Sequence, residues 1–324
     1  MADTGMRRQP REWDLRAIFA TYGIAIAFLI IFVILSIVAD NFLTLSNLMN
    51  ILLQASNIGI MAAGLTVVVI AAEIDLSVAS VQSLAAVCVS MLLTRAGVPI
   101  PVAIVLTLML GCLLGAFSGS LAGWFGIPAF ILTLAVDSLA RGSALIATGG
   151  TSVFGLPDAY SFIGQGRIGP VPVAGIICAL TFLAVHLILT RTVLGTNIYA
   201  VGGNKEAARI AGVNVFAVKL YVMMISGFCA ALAGVVMSSR IMGAQAIMGV
   251  YDLMDVIAAV VIGGASLLGG EGRIIGTVIG TLVIACMRNG LNLLGIPADW
   301  QLIAVGGIIV LAVLVDYVGR KRVA

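Results

Sequence analysis

Long runs of apolar residues alternate with short polar segments along almost the whole chain. A helix needs about 20 consecutive apolar residues to cross the hydrocarbon core of a bilayer. About ten runs approach or exceed that length. They fall near residues 17–39, 51–72, 76–94, 101–125, 129–147, 173–190, 219–239, 253–269, 273–291 and 301–318. The pattern predicts an all-α membrane protein, a polytopic helical bundle of about ten transmembrane helices.

Two stretches between the runs differ from simple connections. Residues 40–50 look amphipathic and short, which favours a segment lying at the membrane interface. Residues 148–172 are rich in glycine and contain three prolines, which indicates a long extracytoplasmic loop. Several of the apolar runs are themselves interrupted by glycine or polar residues, as is typical of helices that line a cavity.

Composition supports a membrane protein with little mass outside the bilayer. Hydrophobic residues make up 61% of the chain and charged residues 10%, and the mean hydropathy is +1.20. These values lie outside the range of soluble globular proteins. We therefore predict one transmembrane domain over 17–318 in contact with lipid, with short tails at 1–16 and 319–324. The net charge of +3 comes from basic residues that flank membrane segments, so no nucleic-acid partner is expected.

The placement of lysine and arginine predicts the orientation. Basic residues concentrate on the cytoplasmic side of membrane proteins. If the N-terminus is cytoplasmic, one set of tails and loops carries most of them, and both termini and residues 201–218 lie inside. That set is Arg7, Arg8, Arg11, Arg16, Arg191, Lys205, Arg209, Lys219, Arg273, Arg320, Lys321 and Arg322.

No catalytic or metal centre is predicted. The five cysteines all lie within apolar runs and form no CxxC pair, so we interpret them as small core residues. The single histidine, His186, has no second metal-ligating side chain at helical spacing. An intramembrane enzyme would need a nucleophile beside a base or paired metal ligands. We expect a protein that is not an enzyme.

A polar island at residues 201–219 interrupts the apolar pattern in mid-chain. Its centre is a helix-prone segment in which small alanines would allow close approach of a partner and a glycine would end the helix. It resembles the EAA-type coupling loop of ABC importer permeases, which docks into a cleft of a cytoplasmic ATPase subunit. An ordinary connecting loop is the other interpretation. The resemblance assigns ATPase coupling to Asn204, Lys205, Glu206, Ala207, Ala208 and Gly212.

Further motifs extend this resemblance over nearly the whole chain. In order and spacing they are similar to the permeases of the ribose, xylose and galactose family of ABC importers, which includes autoinducer-2 and polyol systems. The chain departs from the family pattern at Ala72, Glu73 and Ala79, where glycines are usual. The matching segments are 74–77 (IDLS), 126–134 (GIPAFILTL), 202–208 (GGNKEAA), 255–264 (DVIAAVVIGG), 268–272 (LGGEG) and 289–295 (NGLNLLG).

The resemblance implies the partners and the energy source. It implies a second permease copy or a paralogue, with the pathway at their interface. It also implies cytoplasmic ATPase subunits that bind ATP and magnesium, a periplasmic sugar-binding protein, and the bacterial inner membrane. None of the chain's lysines follows a glycine, so it has no phosphate-binding loop of its own and needs no cofactor. The sugar or polyol is left open.

Polar residues within the apolar runs are candidates for the translocation pathway. Amides can hydrogen-bond sugar hydroxyls, but they equally hold membrane helices together. The candidates are Gln54, Asn57, Gln82, Asn289 and Asn292, with Ser56 beside them.

Three carboxylates are further pathway candidates. Glu73 and Asp75 could bind hydroxyls or instead cap the helix that starts near Ser77. Asp137 lies four residues before Arg141 and could pair with it. The same carboxylates define the alternative function, an ion-coupled secondary transporter.

Two glycine-rich segments echo each other. Gly111, Gly115 and Gly119 precede Gly126-Ile127-Pro128, and 276 and 280 precede Gly295-Ile296-Pro297 in the same way. Small residues at every fourth position allow tight helix crossings. The echo indicates either an internal duplication or a chance match between glycine-rich helices.

Overall fold

The computed structural model describes residues 15–307 and 310, with side chains from residue 25 onward apart from residue 27. Most of the two predicted tails and the greater part of the last apolar run therefore lie outside the described residues. The described elements are α1 (Leu15–Val38), α2 (Leu45–Ile70), α3 (Val78–Thr94), α4 (Ile100–Trp124), α5 (Ala129–Thr148), β1 (Val153–Phe154), a 3-10 helix (Asp158–Tyr160), α6 (Ser161–Gln165), β2 (Arg167–Ile168), β3 (Val171–Pro172), α7 (Val173–Arg191), α8 (Val193–Gly203), α9 (Lys205–Ile210), α10 (Val215–Ile241), β4 (Gly243–Ala244), α11 (Asp252–Ile262) and α12 (Ile274–Leu293). A further helix starts at 298.

The predicted all-helical architecture is confirmed, but the number of spans is not. Among the described residues, six helices are long and apolar enough to cross a membrane: α2, α4, α5, α7, α10 and α12. The apolar runs at 76–94 and 253–269 contain helices of only 17 and 11 residues, α3 and α11. Each begins after a stretch of non-helical backbone, at 71–77 and 245–251. Apolar composition alone could not distinguish a full span from a shorter helix with an irregular lead-in.

The prediction of an interfacial segment at 40–50 is wrong. Helix α2 begins at Leu45 and continues without a break to Ile70. Thr44 caps it, because its hydroxyl accepts a hydrogen bond from the backbone N–H of Asn47. One polar residue of the segment, Asn47, is buried and hydrogen-bonded to Asn289 of α12. The amide is part of a helix contact.

Helix α2 forms the centre of the molecule. All of its residues from Ala55 to Ile70 are buried. It packs against α7, α10, α11 and α12, and α10 in turn packs against α3 and α4. An all-round buried apolar helix is what the core of a membrane bundle requires.

Close packing between α4 and α10 depends on four glycines, which we call the glycine seam: Gly111, Gly115 and Gly119 of α4 and Gly227 of α10. A Cβ added at Gly115 would collide with the backbone carbonyl of Met223, and one at Gly111 would collide with that of Gly227. Small residues at four-residue spacing bring the two backbones together. In α12, Gly276 and Gly280 approach the backbone of α11 in the same way. Both halves of the sequence echo thus have the same packing role, and duplication itself stays a prediction.

The predicted loop at 148–172 has more structure than expected. Strand β1 pairs with β4, and β2 pairs with β3, both antiparallel. The hydroxyl of Tyr160 donates to the carbonyl of Val235 at 2.9 Å and lies 2.8 Å from the Ser238 hydroxyl. Burial raises the pKa of Tyr160. The segment is therefore fixed to the end of α10, and we call this side of the molecule the Tyr160 end.

The opposite side, the α9 end, gathers several chain segments. The N–H of Gly270 donates to the carbonyl of Ile70 at the end of α2, at 2.9 Å. Gly202, near the end of α8, also packs against this carbonyl and against Gly270. The short helix α9 follows directly. Helix α10 connects this end with the Tyr160 end.

Candidate functional site

The polar island contains a short helix, as predicted. Asn204 ends α8 and starts α9, and its side-chain oxygen accepts a hydrogen bond from the N–H of Ala207 at 2.9 Å. Gly212 has a φ of +84° and follows the last turn of α9. Asn214 then caps α10 through the N–H of Ala217. The segment therefore contains α9 and the start of α10, each with an asparagine cap, joined by a turn. Helix α10 begins at Val215, four residues before the apolar run that predicted it.

The exposed face of α9 differs from the predicted face of alanines. Ala208 is buried and packs into the core of this chain, whereas Ala207 and Ala211 are exposed. The exposed side also carries Glu206, whose carboxylate pairs with Arg209 at 3.0 Å, and both side chains are mostly exposed. A partner that contacts this helix would therefore meet a mixed surface of small and charged side chains.

The glycine-rich segment 263–272 forms a tight connection between α11 and α12. Gly264, Gly269 and Gly270 have positive φ. The connection contacts α8 and the α2–α3 turn, and a cavity of about 1000 Å³ opens beside it between α7, α8 and α12. Tyr199 in its wall donates to the carbonyl of Gly272 at 2.8 Å. Burial raises the pKa of Tyr199, and the positive charge of Arg273 opposes the shift.

The two departures from the family pattern at Ala72 and Glu73 lie in the α2–α3 turn. Ala72 has a φ of +59°, a conformation that favours glycine, and it packs against Gly269. The carboxylate of Glu73 forms a salt bridge with Lys219 of α10, and both side chains are largely buried. The two sequence interpretations of Glu73 did not include this ion pair, because Lys219 is distant in sequence.

Asp75 forms local and long-range hydrogen bonds. Its Oδ1 accepts from the N–H of Ser77 at 2.9 Å and from the Ser77 hydroxyl at 2.6 Å. Its Oδ2 accepts from the hydroxyl of Ser226 on α10 at 2.6 Å. The carboxylate thus holds the start of α3 against α10, which agrees with the capping interpretation of this residue.

Asp137 and Arg141 of α5 form the ion pair that their spacing predicted. The Nε of Arg141 lies 3.0 Å from Oδ2 of Asp137. Both side chains are partly buried, at 29% and 21% exposure for Arg141 and Asp137. The carboxylates behind the ion-coupled alternative, Glu73, Asp75 and Asp137, therefore all have protein partners.

Two of the predicted pathway amides join helices. Asn289 exchanges hydrogen bonds with Asn47 at 2.9 and 3.0 Å, which links α12 to α2. Asn292 is exposed and accepts from Gln301 at 2.7 Å. The hydroxyl of Ser56 donates to the carbonyl of Leu52 in its own helix, and Gln54 is half-buried on α2. These contacts favour the interpretation in which amides hold helices together.

The remaining two amides meet a carboxylate that sequence reasoning missed. Asn57 of α2 donates to Oδ2 of Asp252 at 3.0 Å. Gln82 of α3 donates to Asn57 at 3.2 Å and to Asp252 at 3.3 Å. We call Asn57, Gln82 and Asp252 the polar joint. The available signal was an acidic residue at the first position of an apolar run.

A second missed pair lies nearby. Asp255, one turn after Asp252, pairs with Arg288 of α12 at 2.7 Å and is almost completely buried. Within the residues that the structure describes, no group of three or more His, Cys, Asp or Glu side chains could hold a metal ion. All five cysteines have free thiols.

Long apolar helices around a buried central helix, with buried ion pairs and amide contacts between them, define a multi-pass helical membrane protein. The model of a family described as branched-chain amino acid transport system / permease component matches residues 47–313. The chain belongs to this family of transport permeases.

Characterised relatives cover nearly the whole chain. The ribose import permease protein RbsC of Haemophilus influenzae is 41% identical over 303 residues, which are 92% of this chain and 93% of the relative. The D-allose transport system permease protein AlsC of Escherichia coli is 37% identical over 94% of this chain and 92% of the relative. The xylose transport system permease protein XylH of Escherichia coli is 34% identical over 87% of each. No solved structure was found that matches the chain.

Proposed function

We propose that the chain is the membrane permease subunit of an ATP-driven importer for a monosaccharide or a related polyol. The observation that carries the proposal is the extent of similarity to permeases for ribose, D-allose and xylose, at 34–41% identity over most of the chain. The names of these relatives all refer to a monosaccharide, but each to a different one. The substrate class is therefore a small polyhydroxylated molecule.

The energy source is ATP bound with magnesium by a separate cytoplasmic ATPase subunit. The segment 201–218 is the proposed contact with that subunit. Helix α9 supports this assignment because it is short, capped at both ends and exposed, and because it leads directly into α10. Movement of α9 would be passed to a helix that reaches the Tyr160 end of the molecule.

The remaining partners follow from the same proposal. A periplasmic sugar-binding protein delivers the substrate, and a second permease copy or a paralogue completes the pathway in the inner membrane. Both termini and α9 are cytoplasmic in this arrangement, and the β1–β4 strand pair and the β2–β3 hairpin face the binding protein.

Reconstitution would test the function. Vesicles containing the permease, its ATPase and its binding protein should take up radiolabelled D-ribose, D-xylose or D-allose when ATP is present on the ATPase side. A chain that takes up no monosaccharide or polyol with ATP, across these three sugars and a wider set of such compounds, or that takes one up only with an ion gradient, would contradict the proposal.

A pair of matched glycine variants would test the coupling segment. Gly212→Trp places a large side chain on the exposed turn after α9, where no described residue other than its two chain neighbours lies within 4 Å of an added Cβ. Its main effects would be backbone strain at φ +84° and interference with a docked partner. Gly169→Trp is the control, since Gly169 is also exposed and open, with a φ of +60°, in the β2–β3 turn. We expect Gly212→Trp to lose the ATPase subunit during purification, because its docking site is blocked. Gly169→Trp lies on the opposite side, which we propose to face the binding protein, and should keep the ATPase subunit bound.

The orientation can be tested separately by cysteine labelling in intact cells. On a background without native cysteines, an impermeant reagent should label position 169 from outside and leave position 205 unlabelled. Ready labelling at position 205 would reverse the proposed orientation.

A further inference from the structure

The polar joint lies near the middle of the membrane-spanning part of the molecule. Asn57 is close to the midpoint of α2, about 20 Å from either end of that helix at a rise of about 1.5 Å per residue. A hydrocarbon core of about 30 Å therefore places it deep within the bilayer. Ionisable groups at that depth are costly and mark functional positions.

Two shorter helices begin at this depth. Asp252 is the first residue of α11, and Gln82 lies in the second turn of α3. Non-helical backbone precedes both helices, at 245–251 and 71–77. Irregular backbone at membrane depth occurs where it is buried in protein or lines a polar path. The joint therefore combines one residue of the continuous helix α2 with one residue from each of two shorter helices that follow non-helical backbone.

One acceptor in the joint has no partner. Gln82 is completely buried, and its Oε1 receives no hydrogen bond from the residues that the structure describes. Its Nε2 donates to Asn57 and Asp252, so an exchanged amide orientation would bring its oxygen towards the carboxylate. A buried acceptor without a donor is costly, and most such groups in proteins are satisfied. This oxygen is therefore available for an incoming donor.

The backbone beside this acceptor is kept free of side chains. Gly249 has a φ of +71°, and a Cβ there would lie 2.7 Å from Oε1 of Gln82 and 3.1 Å from Oδ2 of Asp252. Both acceptors therefore face the same glycine. Gln82 is enclosed, whereas Asp252 is only partly buried and lies next to the exposed Tyr251. The joint can be approached from the Asp252 side.

We propose that the polar joint binds hydroxyl groups of the sugar during its passage through the permease. This inference rests on the proposed function. A hydroxyl donates one hydrogen bond and accepts others, so neighbouring hydroxyls can donate to Gln82 Oε1 and the Asp252 carboxylate while they accept from the amide groups of Asn57 and Gln82. The occupant is a polyhydroxylated molecule, because all three side chains of the joint offer hydrogen-bonding groups at short distances from one another.

The test separates sugar passage from ATPase coupling. In vesicles with ATPase and loaded binding protein, Asp252→Asn and Gln82→Met remove the charge or the amide with little change in shape. We expect sugar imported per ATP hydrolysed to fall about tenfold, the effect of losing a strong hydrogen bond, while hydrolysis is still stimulated by the binding protein. Asn289→Leu is the matched control, since it removes a buried amide whose partner is another amide. It should lower the melting temperature and leave the import per ATP unchanged.

Other results would overturn the inference in distinguishable ways. Unchanged import per ATP in both joint variants, in correctly folded protein, means that the sugar does not bind there. Import and stimulated hydrolysis lost together mean that the joint maintains coupling or structure instead. If the wild-type protein imports no monosaccharide or polyol with ATP, the proposed function fails, and this inference fails with it.

Discussion

The glycine seam and the polar joint solve the problem of helix contact within a membrane in opposite ways. In the seam, two uninterrupted helices, α4 and α10, approach through glycines until their backbones touch. In the joint, α2 meets the second turn of α3 and the first turn of α11 through amides and a carboxylate. The four glycines of the seam have no polar side chain that needs a hydrogen bond. In the joint, Oε1 of Gln82 is buried and receives no hydrogen bond from the described residues.

This difference indicates that the helix contact at the seam is suited to persist during transport, whereas the helix contact at the joint is suited to separate. Backbone contact through glycine is lost steeply with distance, because dispersion attraction falls off within about an ångström. Hydrogen bonds between side chains can be exchanged for bonds to a substrate or to water at modest net cost. We therefore expect the seam to move as one body and the joint to rearrange during transport.

The largest effect is expected at the salt bridge that connects the two regions, between Glu73 of the α2–α3 turn and Lys219 of α10. Lys219→Met leaves a carboxylate uncompensated in a largely buried place and should destabilise the protein by about 3 kcal/mol. The double variant with Glu73→Gln should recover much of that loss. Thermal unfolding in detergent of the two single variants and the double variant would measure the interaction; strictly additive losses would show that the pair does not interact.

A smaller effect is expected within the glycine seam. Gly115→Ala adds a methyl group against the Met223 carbonyl and should cost about 2 kcal/mol, as overpacking does in well-packed cores. Gly142→Ala is the matched control, since Gly142 lies within helix α5 and has nothing within 4 Å of an added Cβ. That control should be neutral or stabilising by up to about 1 kcal/mol. Equal melting temperatures for the two variants would contradict the tight packing of the seam.

The smallest effect is expected for the Asp137–Arg141 pair, which belongs to neither region. Hydrogen bonds between polar side chains of membrane helices contribute about 1 kcal/mol, so Asp137→Asn or Arg141→Gln should each cost about that much. The double variant should cost less than the sum of the two. Thermal unfolding and expression of the three variants would measure the interaction energy between the two side chains. Strictly additive losses would mean that the Asp137–Arg141 contact contributes nothing to stability.

Several features were accessible from the sequence because they depend on local chemistry. Helical spacing predicted the Asp137–Arg141 pair, and a polar island with asparagine, alanine and glycine predicted the short helix α9 and its end at Gly212. Four-residue glycine spacing predicted close helix packing in both α4 and α12. Each of these signals is contained within one element of secondary structure.

Other features were misjudged because their partners are distant in the chain. Residues 40–50 look amphipathic, yet the amide of Asn47 within them is satisfied by Asn289 on α12. Glu73 was assigned to substrate or to a helix cap, and its partner is Lys219. Asp252 received no role, because only folding brings it to Asn57 and Gln82.

The sequence by itself determined the class of protein, the positions of the apolar helices and the motifs shared with sugar permeases, since apolar length and local spacing are properties of the chain alone. Tertiary structure decided which apolar runs become full spans and which begin at non-helical backbone within the bundle. It also decided which polar side chains are paired and which buried acceptor, Oε1 of Gln82, has no partner among the described residues. The physical reason is that a buried polar group is stabilised only by the partner that folding places beside it, and neither spacing nor composition specifies that partner.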